Sequence, residues 1–231
     1  MKILITGAAG FIGFHLAKKL MKEGHYVMGI DNINDYYSTH LKKHRLSLLK
    51  SKNFDFVELD INQINSLNGD FDLVINLAAQ AGVRVTKEKK FSYQHSNVNG
   101  FKKVIDYCKA SSIKKIIYAS SSAVYDDSSA NSFSECETEL KPKSLYGETK
   151  LFNENYAKEI NSEINSIGLR FFSVYGPFGR PDMAYFSFTD SLKKGLPIKL
   201  HNNGSMARDM TFIDDAIDGV LKSMDFLMSS N

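Results

Sequence analysis

The opening thirty-one residues constrain this chain more than any other stretch. Lys2 to Thr6 is a short apolar run of strand type, and Gly7-Ala8-Ala9-Gly10-Phe11-Ile12-Gly13 follows it at once. Through Phe14 to Glu23, Ile12, Leu16 and Leu20 fall four apart beside Ala17 and Met21, the period of one apolar helix face. Gly24 is placed to stop that helix. Tyr26 to Ile30 reads as a second strand that ends at Asp31. Strand, glycine turn, helix, strand, acid is the order of a dinucleotide-binding unit.

Each part has a physical task. Gly7, Gly10 and Gly13 let the turn tighten and bring backbone N–H groups close to a pyrophosphate. The helix N-terminus adds about half a positive charge toward that anion. A carboxylate at Asp31 accepts from both ribose hydroxyls and repels a 2′-phosphate, which favours NAD over NADP. The spacing is G-x-x-G-x-x-G, the short-chain dehydrogenase type, rather than G-x-G-x-x-G. A glycine turn that serves packing alone is the alternative, and the flanking strand and acid argue against it.

At 231 residues the chain is long enough for one large or two small domains with a full core. Its net charge of +3 is too small to argue for a nucleic-acid partner. No apolar run is long enough to cross a bilayer. The first strand begins almost at Met1, which leaves no room for a signal peptide. Cys108 and Cys136 show neither metal spacing nor a disulfide framework. A cytoplasmic protein with no metal and no membrane partner is the expectation. Lys42-Lys43-His44-Arg45, with Lys50 and Lys52, is a local basic cluster interleaved by Leu41, Leu48 and Leu49, and reads as a solvated helix face.

Further along, Asn32 to Tyr37 is polar and suited to line an adenosine. Phe54 to Leu59 reads as strand three, ending at Asp60-Ile61. Asp60 is either an acceptor for the adenine amino group or a strand-end acid in solvent. Asp72 to Leu77 reads as strand four and runs into Ala78-Ala79-Gln80-Ala81-Gly82, whose small residues let a cofactor pass close to the backbone. Ser96 to Ala110 reads as a helix with Asn97 in its first turn. Lys114 to Ala119 reads as strand five, with Ser120-Ser121-Ser122 where it ends. Alternating strands and helices imply a parallel sheet covered on both faces, with ligands beyond the carboxyl ends of the strands. The glycine turn, Asp31, Asp60, the Ala78-Ala79 turn and the serines all fall on that edge.

Asp126 to Lys143 reads as a loop, and Ser144 opens a helix to about Ile160. Tyr146 and Lys150 are four apart and share one face of it. A free phenol titrates near pH ~10, and bringing it to about 7 takes roughly 4 kcal/mol. A nearby ammonium and a cationic nicotinamide in a partly dry cleft supply energy of that order. A serine hydroxyl at the end of strand five is placed to share the substrate's proton with Tyr146. Asn165 to Val174 reads as strand six, Met183 to Lys194 as a helix and Pro197 to Leu200 as a short strand. Met210 to Ile213 reads as a strand and Asp214 opens a last helix. Arg180 and Arg208 lie in or beside loops, where a guanidinium suits a phosphate or carboxylate; rim arginines paired with Asp182 or Asp209 are the alternative.

With these residues in place, the chain resembles the extended short-chain dehydrogenase/reductases that act on nucleotide sugars, and most of all the UDP-glucuronate 4-epimerases. The stretches that carry the resemblance are Thr6 to Gly13, Asn76 to Arg84, Tyr118 to Tyr125, Ser144-Leu145-Tyr146 with Lys150, Gly168 to Pro177, Gly179 to Ala184, and Arg208-Asp209. Ala-Gln-Ala-Gly-Val-Arg and Gly-Arg-Pro-Asp-Met point to the glucuronate branch.

The resemblance implies a doubly wound (Rossmann-type) α/β parallel sheet with a smaller, C-terminally truncated substrate-binding lobe. Residues 1–173 would form the NAD-binding domain and 174–231 a partial substrate-binding region. It implies Tyr146 as base, Ser121 as its relay, and Lys150 on the nicotinamide ribose. Gly7, Gly10, Phe11, Ile12, Gly13, Asp31, Asn32, Asp60, Ile61, Leu77, Ala78, Ala79, Asn97 and Phe172 would line NAD. Ser173 and Arg208 would meet the UDP, Ser122 the substrate, and Arg84 or Arg180 the sugar carboxylate. Ser122-Ala123 stands where related dehydratases and decarboxylases carry acids for their extra step, which disfavours both reactions.

Two departures accompany it: Asp126 replaces the usual glycine, and relatives run on beyond Asn231. The implied activity is 4-epimerisation of a UDP-sugar by a homodimer paired through the helices near Asn97 and Tyr146. UDP-glucose 4-epimerisation and a non-catalytic NAD or nucleotide-sugar binding role are the alternatives.

Overall fold

The structure is a computed structural model and describes residues 1–82, 90–125, 133–200, 202–205 and 207–229. Strand β1 (Lys2–Thr6) lies at the centre of a six-stranded sheet with β2 (Tyr26–Asp31), β3 (Phe54–Glu58), β4 (Leu73–Asn76), β5 (Lys115–Ser121) and β6 (Asn165–Phe171). Every pairing is parallel and the order is β3-β2-β1-β4-β5-β6. The fold is therefore α/β with a Rossmann-type sheet. The order in which strands are added reverses between β1 and β4, the point at which such sheets open a crevice. Register sets Thr6 beside both Ile30 and Asn76.

The apolar stripes read from the sequence cover both faces of the sheet. On one face α1 (Phe11–Lys22) and α7 (Ile213–Ser229) bury Phe14, Leu16, Leu20, Ile217 and Val220 against Ile3, Ile5 and Ile75. On the other, a 3₁₀ turn (Ile61–Ser66), α4 (Gly100–Ala110) and α5 (Leu145–Glu159) bury Ile64, Phe101, Val104, Ile105 and Ala157 over Leu4, Val74 and Ile116. Between β2 and β3 lies α2 (Thr39–Ser47), and a short α3 (Lys90–Tyr93) leads through a π-helical turn (Gln94–Asn99) into α4.

The run read as one strand from Asn165 to Val174 breaks at Phe172. Its second part, β7 (Ser173–Tyr175), leaves the main sheet and pairs in parallel with β8 (Met210–Phe212). Pro197 to Leu200 is not a strand; it carries no regular structure after α6 (Ala184–Lys193). The division at residue 173 does not separate two cores, because α7 shares one apolar cluster with β1 and α1. Among the described residues no helix is long and apolar enough to cross a membrane.

That sharing makes α7 a stability element. Ile217→Ala, at a side chain 3% exposed, is expected to lower unfolding free energy by about 2–5 kcal/mol in urea titration. Asp218→Ala, one residue on and exposed, is expected to stay within about 0.5 kcal/mol.

Candidate active site

The glycine turn is stitched across three strands. Gly7 N and Ala8 N donate to the Ile30 carbonyl (2.8 and 3.1 Å), and Leu77 N donates to Thr6 O (3.2 Å). Thr6 Oγ1 donates to Asn76 Oδ1 (2.5 Å) and accepts from Ala78 N (3.1 Å). Gly7 has φ +72°, and a Cβ there would lie 2.8 Å from Ala78 N. At Gly10 a Cβ would lie 2.9 Å from Gly7 O, and at Gly13 it would strike the same carbonyl. No side chain caps the start of α1, so the amides of Phe11, Ile12 and Gly13 stay open to an anion. Their side chains differ: Phe11 is buried in the core and Ile12 packs against it.

Beside this turn a cleft is lined by Gly7, Gly10, Asp31, Asn32, Ile61, Leu77, Ala78, Ala79 and Arg180. Asp31 accepts from Ala9 N (3.2 Å) and Ile33 N (2.9 Å). Burial pushes its carboxyl above the usual range, against Lys42 and the two amides. A buried acid raised in this way gains from further donors, such as a pair of ribose hydroxyls. The cradle and this acid fit a dinucleotide.

Asp60 is already occupied. It caps the 3₁₀ turn through Asn62 N (2.9 Å) and accepts from Asn62 Nδ2 (3.1 Å), Asn32 Nδ2 (3.0 Å) and His95 Nε2 (3.1 Å). Burial raises its carboxyl, but these bonds hold it below its ordinary value. Asn97 is a buried brace: Oδ1 accepts from Gln80 N (2.8 Å), while Nδ2 donates to Gln80 O (3.1 Å) and Thr149 Oγ1 (3.0 Å). It ties the loop after β4 to α5.

The start of α5 carries Tyr146 and Lys150. Ser144 caps it by accepting from Gly147 N (3.1 Å). A Cβ at Gly147 would strike the Ala123 carbonyl, so glycine lets the helix sit against the turn that follows β5. That approach sets the start of α5, with Tyr146, beside Ser121, whose hydroxyl caps the turn after β5 by accepting from Ala123 N (3.1 Å). Burial pushes the Tyr146 phenol up, while the Arg180 guanidinium and Ser121 pull it down; burial prevails. Lys150 Nζ donates to Ala119 O (2.7 Å) and lies 5.8 Å from the Tyr146 ring centroid. Burial pushes this ammonium down to about 8.

Arg180 takes the alternative offered by the sequence, a pair with Asp182, and its positive charge also acts on the Tyr146 phenol. Its Nε donates to Asp182 Oδ1 (3.0 Å), its NH2 pairs with Asp182 Oδ2, and it stands 5.8 Å over the Tyr36 ring. Tyr36 OH donates to Asp182 Oδ2 (3.3 Å). Tyr93 OH donates to Gly82 O (2.7 Å), and its ring meets Tyr146 at 6.3 Å. Of the other substrate candidates, Ser122 opens the short turn after β5, Ser173 opens β7, and exposed Arg208 donates to Ala207 O (2.7 Å). Arg84 and Asp126 lie outside the described residues. Phe172 packs with Phe133 (6.0 Å) and Tyr125 (6.5 Å) in a groove beside β6, away from the residues that line the cleft.

The basic cluster on α2 requires correction. Lys43 and His44 are exposed, but Lys42 is 4% and Arg45 0% exposed. Lys42 Nζ donates to Asn34 O and Oδ1, both at 2.8 Å, and lines the cleft near Asp31. Arg45 NH1 donates to Ala9 O (2.8 Å) and Tyr37 OH (2.6 Å), and NH2 to Phe178 O (2.7 Å). Residues 42, 45 and 49 recur at helical spacing with buried Leu49, which was the available signal. Among the described residues no His, Cys, Asp and Glu cluster is placed to hold a metal.

A model of the NAD dependent epimerase/dehydratase family matches residues 3–229. Protein CapI of Staphylococcus aureus is 46% identical over 227 residues, covering 95% of this chain and 68% of that protein. UDP-glucuronate 4-epimerase 2 of Arabidopsis thaliana is 44% identical over 236 residues, covering 97% of this chain and 54% of that protein. A crystal structure of UDP-glucuronic acid 4-epimerase from Bacillus cereus, in complex with UDP-glucuronic acid and NAD, superposes with a TM-score of 0.88 at 34% identity. The match covers 97% of this chain and 73% of that one. This chain thus spans about half the length of the plant relative.

Behind the serines lies a buried ion pair. Glu154 accepts from Arg170 Nε (2.9 Å) and NH2 (2.8 Å) and from Ser120 Oγ (2.5 Å), while Arg170 NH1 donates to Tyr125 OH (2.9 Å). Burial raises the Glu154 carboxyl, but Arg170 and Ser120 outweigh it and hold it below its ordinary value. Glu154→Gln is expected to destabilise the protein by about 1–3 kcal/mol at pH 7, because the part-buried arginine loses its charged acceptor. A depressed carboxyl stabilises above its unfolded value of 4.5 and loses that contribution as pH falls through the folded one. The gap between wild type and Glu154→Gln in urea titrations is therefore expected to narrow below about pH 4.5.

Proposed function

The chain belongs to the NAD dependent epimerase/dehydratase family, and from that premise we propose that it interconverts UDP-glucuronate and UDP-galacturonate by transient oxidation at C4 of the sugar. The observation that supports this reading is the pairing of Tyr146 with Lys150 at the start of α5, where Lys150 Nζ lies 5.8 Å from the Tyr146 ring centroid and is held on Ala119 O at the end of β5, in a chain 44% identical to a named UDP-glucuronate 4-epimerase.

NAD would be held by Gly7, Gly10, the first-turn amides of α1, Asp31, Ile61, Ala78 and Ala79, with Lys150 toward the nicotinamide ribose. When bound it supplies reversible hydride acceptance and a positive charge. Tyr146 takes the proton of the sugar 4-hydroxyl through a hydrogen bond shared with Ser121, and returns it when the carbonyl is reduced on its other face. The added cationic charge lowers the phenol further, toward the pH at which it works as a base. Arg180 or Arg84 meets the sugar carboxylate; Ser122, Ser173 and Arg208 serve the substrate. Ala123 follows Ser122 in place of an acid, so the 4-keto sugar has no carboxylate there to drive elimination. We also propose pairing of two copies through α4 and α5, which light scattering reads as twice the mass of the 231-residue chain.

Purified protein given UDP-glucuronate is expected to form UDP-galacturonate, read by proton NMR. Tyr146→Phe is expected to lower kcat by about 10²–10⁴ while NAD stays bound. Faster turnover of UDP-glucose would overturn the carboxylate assignment. No product from protein that retains NAD and Tyr146 would favour a binding role.

A further inference from the structure

Arg45 is the most buried charged side chain described, at 0% exposure, and it belongs to neither the acid–base pair nor the cleft lining. Its guanidinium reaches three separate places. NH1 donates to Ala9 O in the glycine turn (2.8 Å) and to Tyr37 OH (2.6 Å). NH2 donates to Phe178 O (2.7 Å) and approaches Gly179 O (3.5 Å). Its Nε has no hydrogen-bond partner. The next residue after Gly179 is Arg180.

The corner that Arg45 holds is not relaxed. Phe178 is a non-glycine residue at φ +58°, in the left-handed region, where a bulky side chain persists only if its surroundings over-determine it. Its ring packs on Phe14 at 5.2 Å and His44 at 5.9 Å, and His15 Nε2 bonds the neighbouring Pro177 carbonyl at 2.9 Å. The aromatic contacts fix the ring, and Arg45 fixes the carbonyls. The guanidinium spreads five donors over a rigid plane and so reaches acceptors that lie apart on different loops; a lysine ammonium gathers its three donors at one point and cannot span the same set.

We propose that Arg45 is a positioning residue: by bonding Ala9 and the Phe178–Gly179 corner with one guanidinium, it sets where Arg180 stands relative to Tyr146 and the dinucleotide turn. The proposal rests on Tyr146 as the proton-transferring group. The groups around this phenol are Ser121 from the end of β5, Lys150 from its own helix (5.8 Å from the ring), Tyr93 from α3 (6.3 Å), Tyr36 from the loop after β2, whose hydroxyl converges with that of Tyr93 on Gly82, and Arg180, which stands 5.8 Å over the Tyr36 ring and pairs with Asp182. Of these, Arg180 is the cation whose loop Arg45 holds.

The test titrates the phenol itself, so it does not depend on turnover. Phenolate absorbance near 295 nm is followed against pH in the full-length protein with its bound NAD, and the same curve from the Tyr146→Phe counterpart is subtracted. Arg180→Gln is expected to raise the Tyr146 midpoint by about one unit, the lower range for losing a close opposite charge. Arg45→Lys is expected to raise it similarly, and to add nothing in the Arg180→Gln background. Gly179→Ala perturbs the same corner without touching the buried guanidinium, since its Cβ would lie 2.6 Å from Tyr185 OH and 3.0 Å from Gly176 O. It is expected to give the same direction of shift, and it answers the question if Arg45→Lys does not fold. An unmoved midpoint in Arg45→Lys, or in Gly179→Ala if that variant stands in, overturns the proposal. So does a double variant that shows the sum of the single shifts. Expected shifts in a protein that forms no UDP-galacturonate leave this inference standing and overturn the functional reading instead.

Discussion

A Cβ on Gly7 would lie 2.8 Å from the amide nitrogen of Ala78, so the two backbones at the centre of the sheet meet closer than any side chain permits. That approach is what lets Thr6 bond both Asn76 and Ala78 across the gap between β1 and β4. Because β1 and β4 run parallel to neighbours on opposite sides, the crevice opens where they part. Asp31 at the end of β2 and the turn after β5 take their places from the register of these strands. A bulkier residue at position 7 would separate the strand ends that everything on the carboxyl edge is measured from.

Charge at the carboxyl edge of the sheet is held at a cost that shapes its use. Asp31, Lys42, Lys150 and Tyr146 all have their ionised forms disfavoured by burial. Desolvated groups of this kind respond strongly to any charge brought near them. Asp60 and Glu154 are opposite in character: hydrogen bonds from the protein hold both ionised, so they brace rather than react. The separation of responsive from satisfied carboxylates tells which acids face a ligand.

Legibility from sequence followed the range of the interaction. The glycine turn, the strand ending at Asp31 and the Tyr146–Lys150 spacing were readable because each is local and periodic. The inward turn of Lys42 and Arg45 was not: their partners, Ala9, Asn34 and Phe178, lie in loops whose approach only the folded sheet defines. The same holds for Arg180 facing Tyr146 and for Glu154 pairing with Arg170 across α5 and β6. A continuous β-rich pattern from Asn165 to Val174 hid the break at Phe172, where the chain leaves one sheet for another. Pro197 to Leu200 has strand-like residues but gains no ladder partner, and propensity without a partner does not make a strand.

The two sides of the cleft are secured by different physics. Asp31 and Ser121 end β2 and β5 and Ala78 follows β4, strands that bury Val27, Ile75 and Ile117 in one apolar cluster, so the core fixes them. The Phe178–Asp182 corner has less such support: α6, which follows it, has no buried residue, and Phe186 and Leu192 on it are 45% and 67% exposed. That corner is joined to the rest of the fold by the Phe178 ring on Phe14 and by polar bonds, His15 to Pro177, Arg45 to Phe178, and Tyr36 to Asp182. Loops held by a few directional bonds change position at less cost than strands locked in a core. Tyr146 on the rigid side and the guanidinium on the adjustable side would suit the epimerisation proposed above, in which a fixed base must meet a sugar that presents each of its faces in turn.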